Sequence, residues 1–216
     1  KSTVVKDLNT SNLQKMIVGV DRLDYTKGIP RRLKAVERLF VRYPQYRGVV
    51  SYVGVGSPSR MGIPAYRALR REVLGLVDRI NTRFQTTSWK PIHYVADHVD
   101  RADTVLLLRD ADVCMVTSLD DGMNLVAKEF AAANNRSGAL ILSEFTGVAR
   151  DLHDALLVNP YDDEQLTTTL QTALELPVAE RAIRLEAMKH EVSEHTLFDW
   201  AGEFLSELAQ HIEADR

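Results

Sequence analysis

The sequence predicts an α/β fold, namely a Rossmann-like, doubly wound parallel sheet that is covered by helices on both faces. Three observations support this prediction. Short apolar segments alternate with longer segments of helical periodicity from residue 16 onwards. The apolar segments are continuous, which is typical of strands that are buried on both faces of a parallel sheet. The length of 216 residues is sufficient for a core of this kind.

Six strands and the helices between them follow in order along the chain. The predicted strands cover 16–20, 49–55, 92–95, 113–117, 139–142 and 156–158. The predicted helices cover 30–43, 66–84, 102–110 and 124–133, and a short helical segment separates the last two strands. The first helix begins at Pro30, because proline has no N–H to leave unpaired in a first turn. From about residue 164 the chain is predicted to be helical to its end, with an interruption near Pro177.

Composition and charge exclude several classes of protein. Residues 1–15 are polar and are interpreted as a linker or arm, which leaves 16–216 as one domain with C-terminal helices. The 27 Lys and Arg against 30 Asp and Glu give a net charge of -3, which argues against general nucleic-acid binding. No segment reaches the ~20 apolar residues that span a bilayer. The single cysteine, Cys114, lies in an apolar run and is predicted to be buried, and we expect a cytoplasmic location.

The loop after the first strand carries two cations. In a doubly wound sheet the ligand lies beyond the carboxyl ends of the strands. Arg22 and Lys27 lie five residues apart at 21–28, and Gly28 allows a close backbone turn. Two cations at this place suit a diphosphate. The alternative is a solvated loop in which Arg22 pairs with Asp24.

The loop after the fourth strand, DDGMN, precedes a predicted helix whose free N–H groups and dipole favour a phosphate. Asp121 either caps this helix or accepts hydrogen bonds from sugar hydroxyls. Glu129 lies four residues beyond Leu125 on the same helical face. It either holds the vicinal hydroxyls of a ribose or forms a surface ion pair, although no basic residue stands four positions further on.

The other strand-end loops carry weaker signals. Arg60 follows the second strand in GVGSPSRMG and either binds an anion or is solvated. The loop SEFTGVA, with Glu144 and Gly147, is interpreted as structural. His98 follows the third strand and is interpreted as satisfied or solvated. The histidines are scattered, so we expect no metal site, and no cofactor is expected either.

Several segments together resemble one family over residues 16 to 200. RLDYTKG, PSR, DGMNLVAKE, LSEFTG and NPYD are similar to the trehalose-6-phosphate synthases, which are retaining glycosyltransferases of family 20 with the GT-B architecture. The resemblance implies transfer of glucose from UDP-glucose to glucose 6-phosphate, giving trehalose 6-phosphate and UDP. It also implies that this chain is the donor-binding half of the enzyme and that an N-terminal Rossmann-like domain completes it. The isolated half is then expected to be inactive or very slow.

The resemblance carries roles for particular residues. The implied donor-binding residues are Arg22, Lys27, Val99, Asp121, Gly122, Met123, Asn124, Leu125, Val126 and Glu129. Arg22 and Lys27 would hold the donor diphosphate and stabilise the charge on departing UDP. Asp121 would bind the transferred glucose and is the third implied catalytic residue. Val99 would contact the base through its backbone, Glu129 would bind the ribose, and Arg60 would hold the phosphate of the acceptor.

Two alternatives remain beside this prediction. One is a glucosylglycerol-phosphate synthase-like transferase of the same fold, and the other is a non-catalytic sugar-nucleotide-binding module. The intact set of Arg22, Lys27, Asp121 and Glu129 argues against the second. One departure from the family pattern is Asp120, where many members carry Arg, and it makes the loop less positive.

Overall fold

The computed structural model describes residues 13–194 and 197–214, and within them the chain forms a six-stranded, fully parallel sheet. The strands are β1 (Lys15–Arg22), β2 (Val50–Ser57), β3 (Ile92–Val95), β4 (Val113–Val116), β5 (Ala139–Ser143) and β6 (Leu156–Val158). Their spatial order is β3-β2-β1-β4-β5-β6. This is the strand order of doubly wound α/β sheets, so the predicted fold class is confirmed.

Helices cover both faces of the sheet. In the described residues they are α1 (Ile29–Arg42), α2 (Pro64–Phe84), α3 (Arg101–Asp110), α4 (Leu125–Ala133), α5 (Asp163–Glu175), α6 (Val178–Glu194) and α7 (Leu197–Ala214). The first, second and fifth helices pack on one face, and the third, fourth and sixth pack on the other. No helix among the described residues combines the length and the apolar character that a membrane span requires.

Each central strand supplies both layers of the core. Ile17 packs in the layer of α1, α2 and α5, whereas its neighbours Met16 and Val18 pack in the other layer. Consecutive strand residues point to opposite faces, so a strand between two helical layers must be apolar at every position. Cys114 lies in the second layer with no exposed surface, and burial raises the pKa of its thiol to about 12. This confirms its predicted place in the core.

The main differences from the predicted elements lie at the ends of the strands. β1 and β2 each continue two residues beyond the apolar run, because their pairing extends to Arg22 and Ser57. Within the predicted loop after β1, residues Tyr25–Lys27 form a 3-10 turn. The predicted interruption near Pro177 separates α5 from α6. Residues 1–12, which make up most of the predicted linker, lie outside the described residues.

A buried arginine on α1 links the end of β1, a residue of β2 and the end of β4. Arg32 is 1% exposed, and its Nη2 donates to Asp21 Oδ2 at 2.6 Å. Its Nε donates to Thr117 Oγ1 at 2.9 Å, and its Nη1 donates to Tyr52 Oη at 3.4 Å. A Cβ at Gly19 would come within 2.0 Å of this guanidinium, so glycine is needed opposite it. Burial raises the pKa of Asp21, and the guanidinium opposes that rise.

Gly28 closes the turn between β1 and α1 in the left-handed region, with φ of 64°. A Cβ at this position would lie 2.2 Å from the carbonyl oxygen of Thr117. The close backbone turn predicted for Gly28 is therefore confirmed, and it brings the first loop against the end of β4. Gly48 has a similar φ of 81°, but a Cβ there would meet nothing within 4 Å.

We expect Arg32→Met to lower the free energy of unfolding by about 3–5 kcal/mol, because it leaves the Asp21 carboxylate buried without its partner. The adjacent Arg31→Met is the matched control, since Arg31 is half-exposed and pairs with Asp163 at 3.3 Å. Loss of that surface pair should change stability by at most about 1 kcal/mol. Urea unfolding of both variants measures the difference, and equal losses would contradict a special role for the buried pair.

We expect Gly28→Ala to lower the free energy of unfolding by about 2–4 kcal/mol, because left-handed strain adds to a clash with backbone. Gly48→Ala should lower the free energy of unfolding by only about 1 kcal/mol, because it introduces the strain without the clash. Chemical unfolding of the two variants separates the clash from the strain. A Gly28 variant as stable as the Gly48 variant would show that the turn relaxes without penalty.

Candidate functional site

A cleft of about 490 Å³ lies beyond the carboxyl ends of β1 and β4. These two strands are neighbours in the sheet, and the strand order reverses between them, which is where doubly wound sheets bind their ligands. The cleft is lined by Val20, Asp21, Arg22, Lys27, Ser57, Asp121, Met123, Asn124, Leu125 and Val126. Seven of the residues predicted for the donor site are therefore brought together here.

An ion pair joins the two loops that form the cleft. Lys27 Nζ donates to Asp121 Oδ2 at 2.6 Å, across 94 positions of sequence. Both side chains are largely buried, at 12% and 14% exposure. Burial raises the pKa of Asp121, but hydrogen bonds from Lys27 and Asn124 outweigh it and hold the pKa below its ordinary value. Asp121 is therefore a carboxylate at neutral pH.

Asn124, and not Asp121, caps the helix that begins in the cleft. Asn124 adopts a left-handed conformation with φ of 80°, and its side chain accepts from Ala127 N at 3.1 Å. The capping alternative for Asp121 is thus wrong, because Asp121 instead accepts from the Asn124 amide at 2.9 Å. The first N–H groups of a helix have no acceptor within it, so those of Leu125 and Val126 remain available at the cleft.

The loop after β5 holds the Asp121 loop in place. Asp121 N donates to Phe145 O at 3.1 Å, and Gly147 N donates to Asp121 O at 2.9 Å. Val148 N donates to Met123 O at 3.1 Å. A Cβ on Gly147 would lie 2.0 Å from a backbone oxygen of the neighbouring loop, so glycine permits this close approach. These contacts agree with the structural interpretation of the SEFTGVA loop.

Arg22 is exposed at the cleft and forms no ion pair with Asp24 in the described part of the chain. Asp24 accepts instead from Thr26 N at 3.1 Å and from Tyr66 Oη at 3.2 Å. Burial raises the pKa of Asp24, but these hydrogen bonds and the charge of Arg22 lower it below its ordinary value. The alternative of an Arg22–Asp24 pair is therefore wrong, and the Arg22 guanidinium projects freely at the edge of the cleft.

Four residues predicted for the site do not line the cleft, namely Arg60, Val99, Gly122 and Glu129. Val99 follows β3 and packs partly buried against the core. Glu129 is half-buried on α4, and its Oε1 lies 3.9 Å from Arg101 Nη2. The partner lies on α3, so the sequence of α4 alone does not reveal this loose pair. Arg60 is exposed and donates to Tyr66 Oη at 3.1 Å.

Sequence reasoning missed two polar residues of the cleft, Asp21 and Ser57. Both lie on strands β1 and β2, past the last apolar position of each run. Each is among the first polar residues after a buried apolar run, and this position could have identified both as cleft residues. The apolar pattern instead ended the predicted strands before them and assigned both to loops. Asp120, the predicted departure from the family pattern, is exposed and forms no ion pair among the described residues.

The cleft can hold an anionic ligand that also carries hydroxyl groups. Arg22, Lys27 and the start of α4 bring positive charge and free donors to one edge. Asp121 supplies an ionised acceptor on the opposite loop. Donors for phosphate beside an acceptor for hydroxyls are the pattern expected for a sugar phosphate.

Comparison with known proteins agrees with this geometry. A family model described as glycosyltransferase family 20 matches residues 2–210. A trehalose-6-phosphate synthase of Klebsiella pneumoniae is 42% identical over 200 residues, which cover 92% of this chain and 42% of the relative. The chain thus spans less than half the length of this relative.

Two solved structures have the same fold. An E. coli structure described as trehalose-6-phosphate bound with UDP-2-fluoro glucose is 38% identical with a TM-score of 0.89, covering 95% of this chain and 46% of the other. An alpha,alpha-trehalose-phosphate synthase (UDP-forming) of Burkholderia xenovorans, in complex with glucose-6-phosphate, is 38% identical with a TM-score of 0.90 and covers 96% and 46%. The chain therefore belongs to glycosyltransferase family 20.

Proposed function

We propose that this chain is the donor-binding half of a retaining glucosyltransferase that makes trehalose 6-phosphate and UDP from UDP-glucose and glucose 6-phosphate. The observation that carries the proposal is the convergence of Lys27, Asp121 and the start of α4 on one cleft. Similarity to UDP-forming synthases, including structures with a UDP-sugar analogue and with glucose-6-phosphate, supports the choice of substrates.

The donor diphosphate is assigned to the positive edge of the cleft. Arg22 grips its oxygens, Lys27 adds a second charge, and the N–H groups of Leu125 and Val126 complete the cradle. In the structure, Lys27 is paired with Asp121 at 2.6 Å. A diphosphate competes for this ammonium, which frees a carboxylate oxygen of Asp121 for a hydroxyl of the glucose. Binding of the diphosphate and of the sugar are thereby coupled through one ion pair.

The remaining contacts follow the order of groups along the donor. The loop Asp121–Gly122–Met123 holds the glucose, Glu129 binds the ribose hydroxyls, and the backbone at Val99 meets the base. The position of Glu129 one turn beyond the start of α4 supports its assignment. Arg60 holds the phosphate of the acceptor, which would approach from the other side of the cleft.

The proposed reaction proceeds with retention on one face of the sugar. The acceptor hydroxyl attacks the anomeric carbon from the side on which the bond to the phosphate oxygen breaks. Its proton passes to the departing phosphate, whose growing negative charge is stabilised by Arg22, Lys27 and the positive end of α4. In this mechanism Asp121 orients the sugar and does not attack it.

The proposal includes an N-terminal Rossmann-like domain that faces this cleft and supplies most acceptor contacts. The chain covers less than half the length of each of these relatives, and such a domain would account for part of the remainder. Met123 and Leu125 line the cleft and are 43% and 62% exposed. Tyr25 precedes Lys27 on its turn, and Phe145 lies in the loop that is hydrogen-bonded to Asp121, and these two side chains are 61% and 41% exposed. An apolar rim of this kind is typical of a surface that another domain covers. Glucose transfer by the isolated chain should accordingly be very slow.

We expect the chain to bind UDP and UDP-glucose saturably. The Arg22→Ala, Lys27→Ala double variant should bind both ligands about 100-fold more weakly or not at all. The loss corresponds to two charge-assisted contacts to phosphate. Isothermal titration calorimetry measures both affinities, with GDP and ADP as comparison ligands for the base.

The matched control for this charge change is the Arg31→Ala, Lys34→Ala double variant. It also removes one arginine and one lysine charge, but from the first turns of α1, at positions that do not line the cleft. Its UDP affinity should stay within about twofold of the original, because only general electrostatic attraction is reduced. Equal losses in the two double variants would contradict the assignment of the diphosphate to Arg22 and Lys27.

We expect Glu129→Ala to weaken UDP binding about tenfold, the loss of hydrogen bonds to a charged group. The same variant should bind 2′,3′-dideoxy-UDP as well as the original does, because that ligand has no hydroxyls for Glu129 to accept from. Arg101→Ala is the control, since it removes the 3.9 Å pair and leaves the carboxylate. A uniform loss for both ligands would show that Glu129 acts elsewhere than on the ribose.

A further inference from the structure

Tyr66 lies between the two loops to which the proposed function assigns phosphate groups. It stands in the first turn of α2 and is 3% exposed. Its hydroxyl donates to Asp24 Oδ2 at 3.2 Å and accepts from Arg60 Nη1 at 3.1 Å. One buried hydroxyl therefore joins the turn that carries Lys27 to the loop that carries Arg60.

The Arg60 side of this link is held by several contacts. Arg60 has a φ of 46°, which is the strained left-handed region for a residue with a side chain. Its guanidinium lies 5.8 Å from the centre of the Tyr66 ring, within the range of a cation–π contact. Arg67 Nη1 donates to Met61 O and Gly62 O and so fixes the peptides that follow. The hydroxyl of Tyr66 is what anchors the otherwise exposed head group of Arg60.

The other side of the link is a short turn that is held by several hydrogen bonds. Asp24 accepts from both the N–H and the hydroxyl of Thr26 and thereby caps the 3-10 turn that ends at Lys27. The ring of Tyr25 packs edge-on against the ring of Tyr66, with centroids 5.8 Å apart. A hydrogen bond from Tyr66 helps to keep the pKa of Asp24 low against the effect of burial. Asp24 is therefore an ionised acceptor at neutral pH.

We propose that Tyr66 is a positioning residue whose hydroxyl aims the Arg60 guanidinium at the phosphate of the sugar-phosphate acceptor and ties it to the Lys27 turn. This inference rests on the proposed function, because that function assigns Arg60 to the acceptor. A long arginine side chain loses rotamer freedom when it binds an anion. A head group that is already held by a hydroxyl and a ring has less freedom to lose, so the anion binds more tightly.

The substitution Tyr66→Phe separates the role of the hydroxyl from the packing of the ring. The edge-on contact with Tyr25 and the burial of the ring are kept, whereas both hydrogen bonds are lost. Tyr25→Phe is the matched control, because it removes a hydroxyl from the other ring of the same pair. The Tyr25 hydroxyl makes no hydrogen bond in the described part of the chain.

The experiment titrates glucose 6-phosphate and inorganic phosphate into the 216-residue chain. Binding is followed by NMR at the amides of residues 58–63, with and without saturating UDP. The set of variants is Tyr66→Phe, Arg60→Gln, the double variant and Tyr25→Phe. Calorimetry with UDP and thermal unfolding of each variant report the donor cleft and the fold separately.

We expect Tyr66→Phe to weaken binding of both ligands about tenfold, because a freed Arg60 side chain then loses its rotamer freedom when the anion binds. In the Arg60→Gln background the same change should have no further effect, because the hydroxyl acts through Arg60. UDP affinity should change less than about twofold, and Tyr25→Phe should match the original chain.

Three results would overturn the proposal. If Tyr66→Phe lowered phosphate affinity equally in the original and Arg60→Gln backgrounds, the hydroxyl would act only on the fold. Unchanged phosphate affinity in Tyr66→Phe would mean that it does not position Arg60. If phosphate did not shift the amide signals of residues 58–63 in the unsubstituted chain, the assignment of Arg60 to the acceptor phosphate would be wrong. Absence of UDP binding, by contrast, would contradict the proposed function while the phosphate titration still tests Tyr66.

Discussion

The cleft depends above all on the buried ion pair between Arg32 and Asp21. Pairs of this kind contribute little net stability, because desolvation offsets most of the attraction, but removal of one partner is severely destabilising. Here the guanidinium binds β1 through Asp21 and the end of β4 through Thr117, and it also donates to the carbonyl of Lys27 at 3.3 Å. One side chain on α1 thus sets the relative positions of the strand ends from which the site is built.

A second ion pair sits above this buried one and is of a different kind. Lys27 and Asp121 line the cleft, and in the proposed function a phosphate competes with the carboxylate for the ammonium. The pair holds a cation and an anion in position at the edge of the cleft. Arg22 forms no ion pair among the described residues and remains exposed, so the cleft presents one paired cation and one unpaired cation.

The loops around the cleft are hydrogen-bonded to one another. The Asp121 loop is hydrogen-bonded to the loop after β5, and Leu119 N donates to Thr26 O at 2.6 Å. Tyr66 connects the same Thr26 turn to the Arg60 loop through Asp24. Loops that brace one another in this way present fixed donors to a ligand, which reduces the entropy lost on binding.

The sequence by itself determined the order of strands and helices, the fold class and the loops in which charged residues gather, because burial on both faces imposes a local apolar pattern. It also placed Lys27, Asp121 and the start of α4 at strand ends. Only the tertiary structure decided that Lys27 pairs with Asp121, that Asn124 is the helix cap and that Glu129 faces Arg101. These partners lie on separate loops and helices or depend on backbone geometry, so no local periodicity records them.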